Sequence, residues 1–577
     1  MKMVKSLLLG SAAGLIAMSG AQAADLPVKA KAVEYVRICS LYGAGFFYIP
    51  GTDTCIKLGG YLRADLTING GVYDQPFYNG EGAIRDRYAN FYNDRSRLAL
   101  TIDTRTATEY GVVRTFGQAD FQFSTYGSTS SVGLAASVYP GTWQGAVNND
   151  TAGNGYTAVE LVFLQFAGFT FGKSASAFST PWHGYPGNNT SFLVGGFDSV
   201  TGVNNIQYTW QFGNGVSATL GIDDSSANDF NRTQIINAIG GTPTALASAG
   251  AAPGAAGGNI GFTGACSSYF TSVGCAYGGT SVPDFVGNIR VDQAWGLFQI
   301  SGVVHDNHAT YFSNANVSSN AVTVTGINQA GAVNFGHPSD VYGGAVSAAL
   351  QIKNIPTGAG DDIKMEGTWS KGASKYVLGT SGADPASFGI YSGTRFAMGV
   401  VTDAIYSGTN LGTCVVGTLG CNGNPQTSLQ LTNGWGFRGA FNHNWDPYWS
   451  SSLFGGIAGL SYNQTAKTLY CNTYVVNAGV AIKGGGVTNG GGTGGTLNPA
   501  ISACDPGFTI SEIGIVTRWT PVKNLTFSAE VLYAYLKTNM SGTITGAPSS
   551  ALPLANTTYT YGNNSTTSLN LRVQRNF

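Results

Sequence analysis

Charge is scarce in this sequence, and past its start long apolar runs are missing. Asp, Glu, Lys and Arg make up 10% of the 577 residues, where a soluble chain of this size carries about 25%. Yet no segment after residue 23 stays apolar for the ~20 residues that a spanning helix needs. A soluble multidomain protein and a helical membrane protein are therefore both poor fits. The formal net charge is −1, near −3 without Lys2 and Lys5, and no clustered basic surface offers itself to nucleic acid. Tight Cys-x-x-Cys pairs are absent, which removes the usual structural metal ligands. His305 and His308 are three apart at a strand end and lack the helical spacing of a metal pair. Gly172-Lys173-Ser174 ends like a phosphate-binding loop, but Ala167 stands where that loop requires glycine. Gly490, Gly492 and Gly495 match a dinucleotide pattern with no strand and helix to flank them. No Gly-x-Ser-x-Gly elbow occurs. These gaps leave no cofactor, no metal and no catalytic role to expect.

What is present begins with an address. Lys2 and Lys5, the apolar run from Leu7 to Met18, and Ala21-Gln22-Ala23 form a secretory signal peptide over residues 1–23, with cleavage expected after Ala23. The rest, 24–577, is rich in glycine (83 residues) and aromatics (12%), and its apolar side chains alternate. Ile206, Tyr208, Trp210 and Phe212 point one way and Gln207, Thr209 and Gln211 the other; after Gly213-Asn214-Gly215, Val216, Ala218, Leu220 and Ile222 resume the apolar face. That is a hairpin with one greasy and one wet side. Leu525, Phe527, Ala529 and Val531 alternate in the same way with Thr526, Ser528 and Glu530, and Ile363, Met365 and Trp369 with Lys364, Glu366 and Thr368. A transmembrane β-barrel explains how so little charge coexists with no apolar run, because each strand hides only its lipid-facing half.

Connections alternate too. Short links fall near 107–109, 167–168, 213–215, 294–295, 353–361, 445–448 and 520–524. Long ones fall near 70–93, 125–156, 175–203, 224–284, 306–340, 371–431, 463–509 and 538–564. Bacterial barrels have short periplasmic turns and long outer loops, and the segments between these links number about 16, an even count. Residues 387–402 belong to a long loop on this reading. The expected fold is an all-β antiparallel barrel of about 16 strands. Eight cysteines fall as sequence neighbours: Cys39 and Cys55, Cys266 and Cys275, Cys414 and Cys421, Cys471 and Cys504. Eight allow 105 connectivities; neighbour pairing is the simplest, and Cys39–Cys55 and Cys471–Cys504 are the two bridges expected first. The chain ends on an alternating strand, Leu569, Leu571 and Val573, closed by Phe577. Such an ending resembles the signal read by the barrel-assembly machinery.

Three stretches carry a family resemblance. The first runs from Tyr35-Val36-Arg37-Ile38-Cys39 through Tyr42-Gly43-Ala44-Gly45-Phe46 and Pro50-Gly51-Thr52-Asp53-Thr54-Cys55 to Leu58-Gly59-Gly60-Tyr61. The second is Phe163-Leu164-Gln165-Phe166-Ala167-Gly168-Phe169-Thr170-Phe171-Gly172-Lys173, and the third is Arg518-Trp519-Thr520-Pro521-Val522-Lys523-Asn524-Leu525. Together they resemble the alphaproteobacterial outer-membrane porin family. The resemblance implies a multi-pass outer-membrane barrel, usually a homotrimer among lipid and lipopolysaccharide, passing ions and small hydrophilic solutes by diffusion. It also implies a third loop folded inward to narrow the pore. The insertions at 224–284, 371–431 and 463–509 depart from it and leave room for a channel selective for sugars or anionic nutrients. A secreted β-structured adhesin would share the address and the alternation.

The expected pore residues follow. Arg63, Arg97, Arg114 and Arg572 fall on the non-lipid faces of the first, second, third and last strands, and closure brings the last strand beside the first. They are read as one basic wall; the alternative is scattered arginines paired with Asp65, Asp103 and Asp120. Opposite them the third loop offers Lys173, Phe178, Trp182, His183, Tyr185 and a single acid, Asp198.

Overall fold

The computed structural model describes residues 37–71, 91–124, 156–191, 193–225, 235–238, 281–309, 315–318, 321–324, 337–378, 390, 395–397, 399–407, 426–474, 481–485, 500–545 and 558–577. The expected signal peptide over 1–23 and the cysteines Cys266, Cys275, Cys414 and Cys421 lie outside these residues.

Residues 37–56 belong to a small unit of their own. Phe47 and Tyr48 pair with Ile56 and Cys55, and the Cys39–Cys55 disulfide closes the hairpin. Buried Phe46 packs on that bridge. With so few apolar side chains, the cross-link supplies order that a core would otherwise provide.

From Lys57 onward the chain is a closed antiparallel barrel of 16 strands. They are β1 (Cys55–Ile68), β2 (Tyr92–Thr108), β3 (Gly111–Ser124), β4 (Tyr156–Phe166), β5 (Phe169–Ser174), β6 (Val203–Gly213), β7 (Val216–Asp223) and β8 (Asp284–Gln293). The second half comprises β9 (Gly296–Asn307), β10 (Val341–Lys353), β11 (Asp362–Lys371), β12 (Asn433–Asn444), β13 (Trp449–Ser461), β14 (Phe508–Val522), β15 (Leu525–Thr538) and β16 (Asn564–Asn576). Each pairs with the next, and β1 meets β16 with Leu62 opposite Arg575 and Asp65 opposite Arg572. Closure leaves no strand edge unpaired, a requirement where no water can bond a free peptide group. The C-terminal Phe577 exchanges backbone hydrogen bonds with Gly60, so the last residue fastens the seam.

Period-two alternation sets the two faces. Leu62, Leu100, Ile102, Phe527 and Val531 are 37–55% exposed, with half-buried Leu98 beside them; they cover the outside. Asp65, Arg97, Asp120 and Glu530 are buried on the inside. Short turns are built as the twist of the hairpin demands: Ala167-Gly168 (φ 49° and 89°) and Asn214-Gly215 (φ 49° and 72°) have positive φ at both central residues. Among the described residues of 387–402 the one strand is the two-residue Arg395–Phe396, outside the barrel count. Two features were not legible as loop sequence. The 463–509 link begins with a helix, Gln464–Tyr474, bridged to the strand Ala500–Cys504 by Cys471–Cys504. The outer halves of β13–β15 are also apolar inside, where Ala458, Leu460, Ile510, Ala534 and Leu536 are fully or almost fully buried.

The turn between β10 and β11 is anchored by a carboxylate. Asp361 accepts hydrogen bonds from Thr357 Oγ1 (2.6 Å), Asn444 N (2.8 Å) and His443 Nδ1 (2.6 Å). Desolvation works against its charge, but these hydrogen bonds outweigh it and hold the carboxyl at about 2, below its ordinary 3.8. A depressed carboxylate stabilises the fold above its unfolded pKa and loses that contribution only as pH falls through the folded one. A carboxyl carbon titration of Asp361 is expected to show its midpoint near 2, with the turn intact at pH 4; a midpoint near 4 would contradict the anchoring. The face assignment has its own test. Leu100→Arg places a charge against lipid and is expected to destabilise the barrel by roughly 2–4 kcal/mol. Thr101→Arg, on the inner face, is expected to assemble normally. Denaturant unfolding in micelles compares the two.

Candidate pore constriction

The loop between Ser174 and Val203 crosses the inside of the barrel. A loop there carries peptide groups into a confined space, and buried peptide groups need partners. Side chains of the wall supply them. Asn288 Nδ2 donates to Ala177 O (2.6 Å) and Gln299 Nε2 to Ser179 O (2.9 Å). Thr180 Oγ1 donates to Glu366 (2.8 Å) and Arg518 to Gly187 O (2.6 Å). Glu530 accepts the N–H groups of Asn189 (2.5 Å) and Thr190 (3.0 Å), and Glu512 accepts that of Val194 (3.0 Å). Arg438 donates to Leu193 O (3.0 Å) and Phe197 O (2.5 Å), and its Nε lies 2.6 Å from Glu366. The loop is thereby fastened to β8, β9, β11, β12, β14 and β15, about half the circumference.

Contact this close requires glycine on both sides. A Cβ on Gly196 would sit 2.1 Å from Glu366 Oε1, one on Gly436 2.6 Å from Gly195 Cα, and one on Gly456 2.2 Å from Val194 O.

The expected loop residues divide by this seat. Phe178 packs edge-on against Phe197 and Tyr376. Trp182 lies against Leu297 and Ala349, and both aromatic side chains are buried on the wall. Asp198 is buried as well, its Oδ1 accepting from Val200 N (2.8 Å). Tyr185 and His183 remain partly exposed, with His183 at φ 46°. Lys173 lies in β5 and caps the carbonyls of Val159 and Glu160 (3.1 and 3.0 Å) and of Thr201, tying the loop's end to β4.

On the opposite side the arginines are paired. Asp65 receives Arg95 at 2.6 Å and Arg572 at 2.5 Å. Arg97 bridges Asp120 (2.7 Å) and Glu160 (2.9 Å). Arg63 donates to Gln574 (2.8 Å) and lies 4.6 Å from the centre of the Tyr61 ring, whose hydroxyl is 3.5 Å from Arg97. Arg63, Arg97 and Arg572 thus gather around Tyr61 and Asp65. Arg114 stands apart with Arg105, both on Asp103 at 3.0 Å. Six guanidinium groups on β1–β3 and β16 face four carboxylates: Asp65, Asp103, Asp120 and Glu160. The loop clamp of Glu366, Arg438, Glu512 and Glu530 was not singled out by sequence reasoning. Its only signal was charge on the inward parity of apolar strands.

A family profile described as "Porin subfamily" matches residues 25–569. Porin Omp2b of Brucella suis is 36% identical over 239 residues, 41% of this chain and 58% of that protein; Porin Omp2b of Brucella canis matches to the same extent. The match thus spans less than two thirds of the relatives' own length. Among solved structures, the outer membrane channel DcaP of Acinetobacter baumannii aligns at a TM-score of 0.49 and 11% identity, covering 92% of this chain and 99% of that one.

The clamp predicts an asymmetric response to mutation. Arg438 is fully buried against Glu366, and removing one member of a buried ion pair strands the other. Arg438→Ala is expected to cost about 3–5 kcal/mol. Arg518→Ala, at a partly exposed site, is expected to cost about 0.5–1.5 kcal/mol. Urea unfolding of the refolded barrel measures both, and equal losses would remove Arg438 from the clamp.

Proposed function

We propose that this chain, which belongs to the porin subfamily, forms a water-filled channel in the outer membrane through which ions and small hydrophilic solutes diffuse passively. The observation that carries the reading is the third loop riveted across one half of a closed 16-strand barrel, opposite a polar, arginine-rich half. Nothing in such an arrangement needs bond chemistry; transport follows from a hole of fixed width and charge. The functional unit is a homotrimer embedded in outer-membrane lipid and lipopolysaccharide. It is delivered after removal of residues 1–23 and inserted through the C-terminal strand that ends in Phe577.

Selectivity rests on the gathered Arg63, Arg97 and Arg572, with Arg114 further along the same side on Asp103, set against a loop whose single acid is Asp198. With Arg95 and Arg105 counted, six inward guanidinium groups face four carboxylates, so the excess over β1–β4 and β16 is small. A narrow aqueous path between low-dielectric walls strengthens what remains. The expected preference is weakly for anions. Planar-bilayer recording tests both parts. The purified protein should give stepwise conductance, and a salt gradient should give a reversal potential on the anion side. Arg97→Gln together with Arg114→Gln should move that potential toward cations, more at low salt because screening is weaker. An unchanged potential in the assembled double variant would remove the wall from the selectivity mechanism, and an absence of conductance would overturn the channel itself.

A further inference from the structure

Among the described residues of the long insertion after β11, 372–378 and 399–407 are buried. Tyr376, Val377 and Leu378, in the single turn Lys375–Leu378, have no exposed surface. The segment stacks directly on the third loop: Gly195 N donates to Val377 O (3.1 Å), and the Tyr376 ring centre lies 4.7 Å from those of both Phe178 and Phe197.

It is also fixed to the wall. Tyr376 Oη donates to Asp284 (2.5 Å) on β8, and Asn307 Nδ2 of β9 donates to Gly372 O (2.8 Å). Asp403 accepts the N–H and hydroxyl of Ser374 (2.5 and 2.7 Å). Val400 N donates to Pro506 O (3.2 Å), just before β14, and Tyr462 Oη donates to Val400 O. Ala404–Tyr406 pairs with Ile235–Asn237 on one side and with Gln430–Leu431 on the other.

Beneath it the lumen wall changes character. Val377, Leu378 and Val401 share one buried cluster with Ala458, Leu460, Ile510, Ala534 and Leu536 of β13–β15 and with Val194 of the third loop. An apolar wall facing water would cost about 25 cal/mol for each Å² left uncovered; here an apolar slab covers it. Hydrated ions and polar solutes have no path between two such surfaces.

We infer that 372–378 and 399–407 form a second, fixed narrowing stacked on the extracellular side of the third loop, which seals the β13–β15 side of the lumen and confines solute to the arginine side. The inference rests on the channel reading and adds to it a specificity element. Every solute that enters must cross facing Arg63, Arg97 and Arg572, so the sealed side makes small polar solutes that tolerate or favour guanidinium contact the admitted class.

The test is thiol accessibility in the full-length refolded protein, read by mass after exposure to a charged, water-soluble methanethiosulfonate. Ala458→Cys lies under the seal with no exposed surface, and Gln118→Cys lies half-buried on the inner face of β3. Gln118→Cys should label at least about ten times faster, since labelling at Ala458→Cys waits on local opening. Replacing 373–378 by a Gly/Ser run in the Ala458→Cys background should bring its rate up to that of Gln118→Cys and raise single-channel conductance. Equal labelling of the two cysteines in the otherwise intact chain would overturn the seal, as would unchanged labelling and conductance after the replacement. Because labelling is read without current, a non-conducting protein with the expected labelling pattern would defeat the channel reading and leave the seal standing.

Discussion

A peptide group removed from water must find another partner, and this protein meets that demand twice. In the lipid-facing wall the partners are neighbouring strands, and the demand is met only when β16 returns to β1. Inside the lumen there is no further sheet for the third loop to join. Its N–H and C=O groups go instead to side chains: carboxylates of Glu512 and Glu530 for the donors, guanidinium groups of Arg438 and Arg518 for the acceptors. The same rule that closes the barrel therefore dictates which charged residues stand inside it.

Charge used this way is structural before it is functional. Arg438 and Glu366 have almost no exposed surface, and a buried pair is a weak source of net stability because desolvation consumes most of the attraction. What it supplies is position. A loop held by several charge-assisted hydrogen bonds, with glycine at its closest approaches to the wall, has one seat and not several. The opposite wall follows another logic. Arg97 with Asp120 and Glu160, and Arg114 and Arg105 with Asp103, are side chains paired mainly with one another. The lumen thus has a fixed half built of backbone contacts and a half built of side-chain ion pairs.

Much of this was legible one strand at a time. Alternation in Leu98-Ala99-Leu100-Thr101-Ile102 and in Phe527 to Val531 is local, because successive side chains on a strand point to opposite faces. Strand identity, facing, turn placement and the approximate count of 16 follow from that period and from the rhythm of short and long links. The Cys39–Cys55 bridge is also local, spanning one hairpin. The 371–431 insertion was the opposite case. Its Gly, Ser and Thr content reads as solvated loop, and nothing within it announces that Tyr376 will meet Asp284, 92 residues earlier in the chain.

The sequence by itself determined the architecture: a chain poor in charge, whose alternating strands can satisfy themselves only as a closed barrel. Periodicity carries that information because it depends on neighbours along the chain. Only the tertiary structure decided what the inward residues are for. Glu530, Arg438 and Arg97 look alike in sequence, each a charge on the wet face of a strand, and differ in the partners the fold brings to them. Two clamp a loop, and one joins an ion-pair network. The loop partners of Glu530 and Arg438 stand hundreds of residues away along the chain and reach them across the lumen, whereas those of Arg97 lie on the next two strands of the sheet.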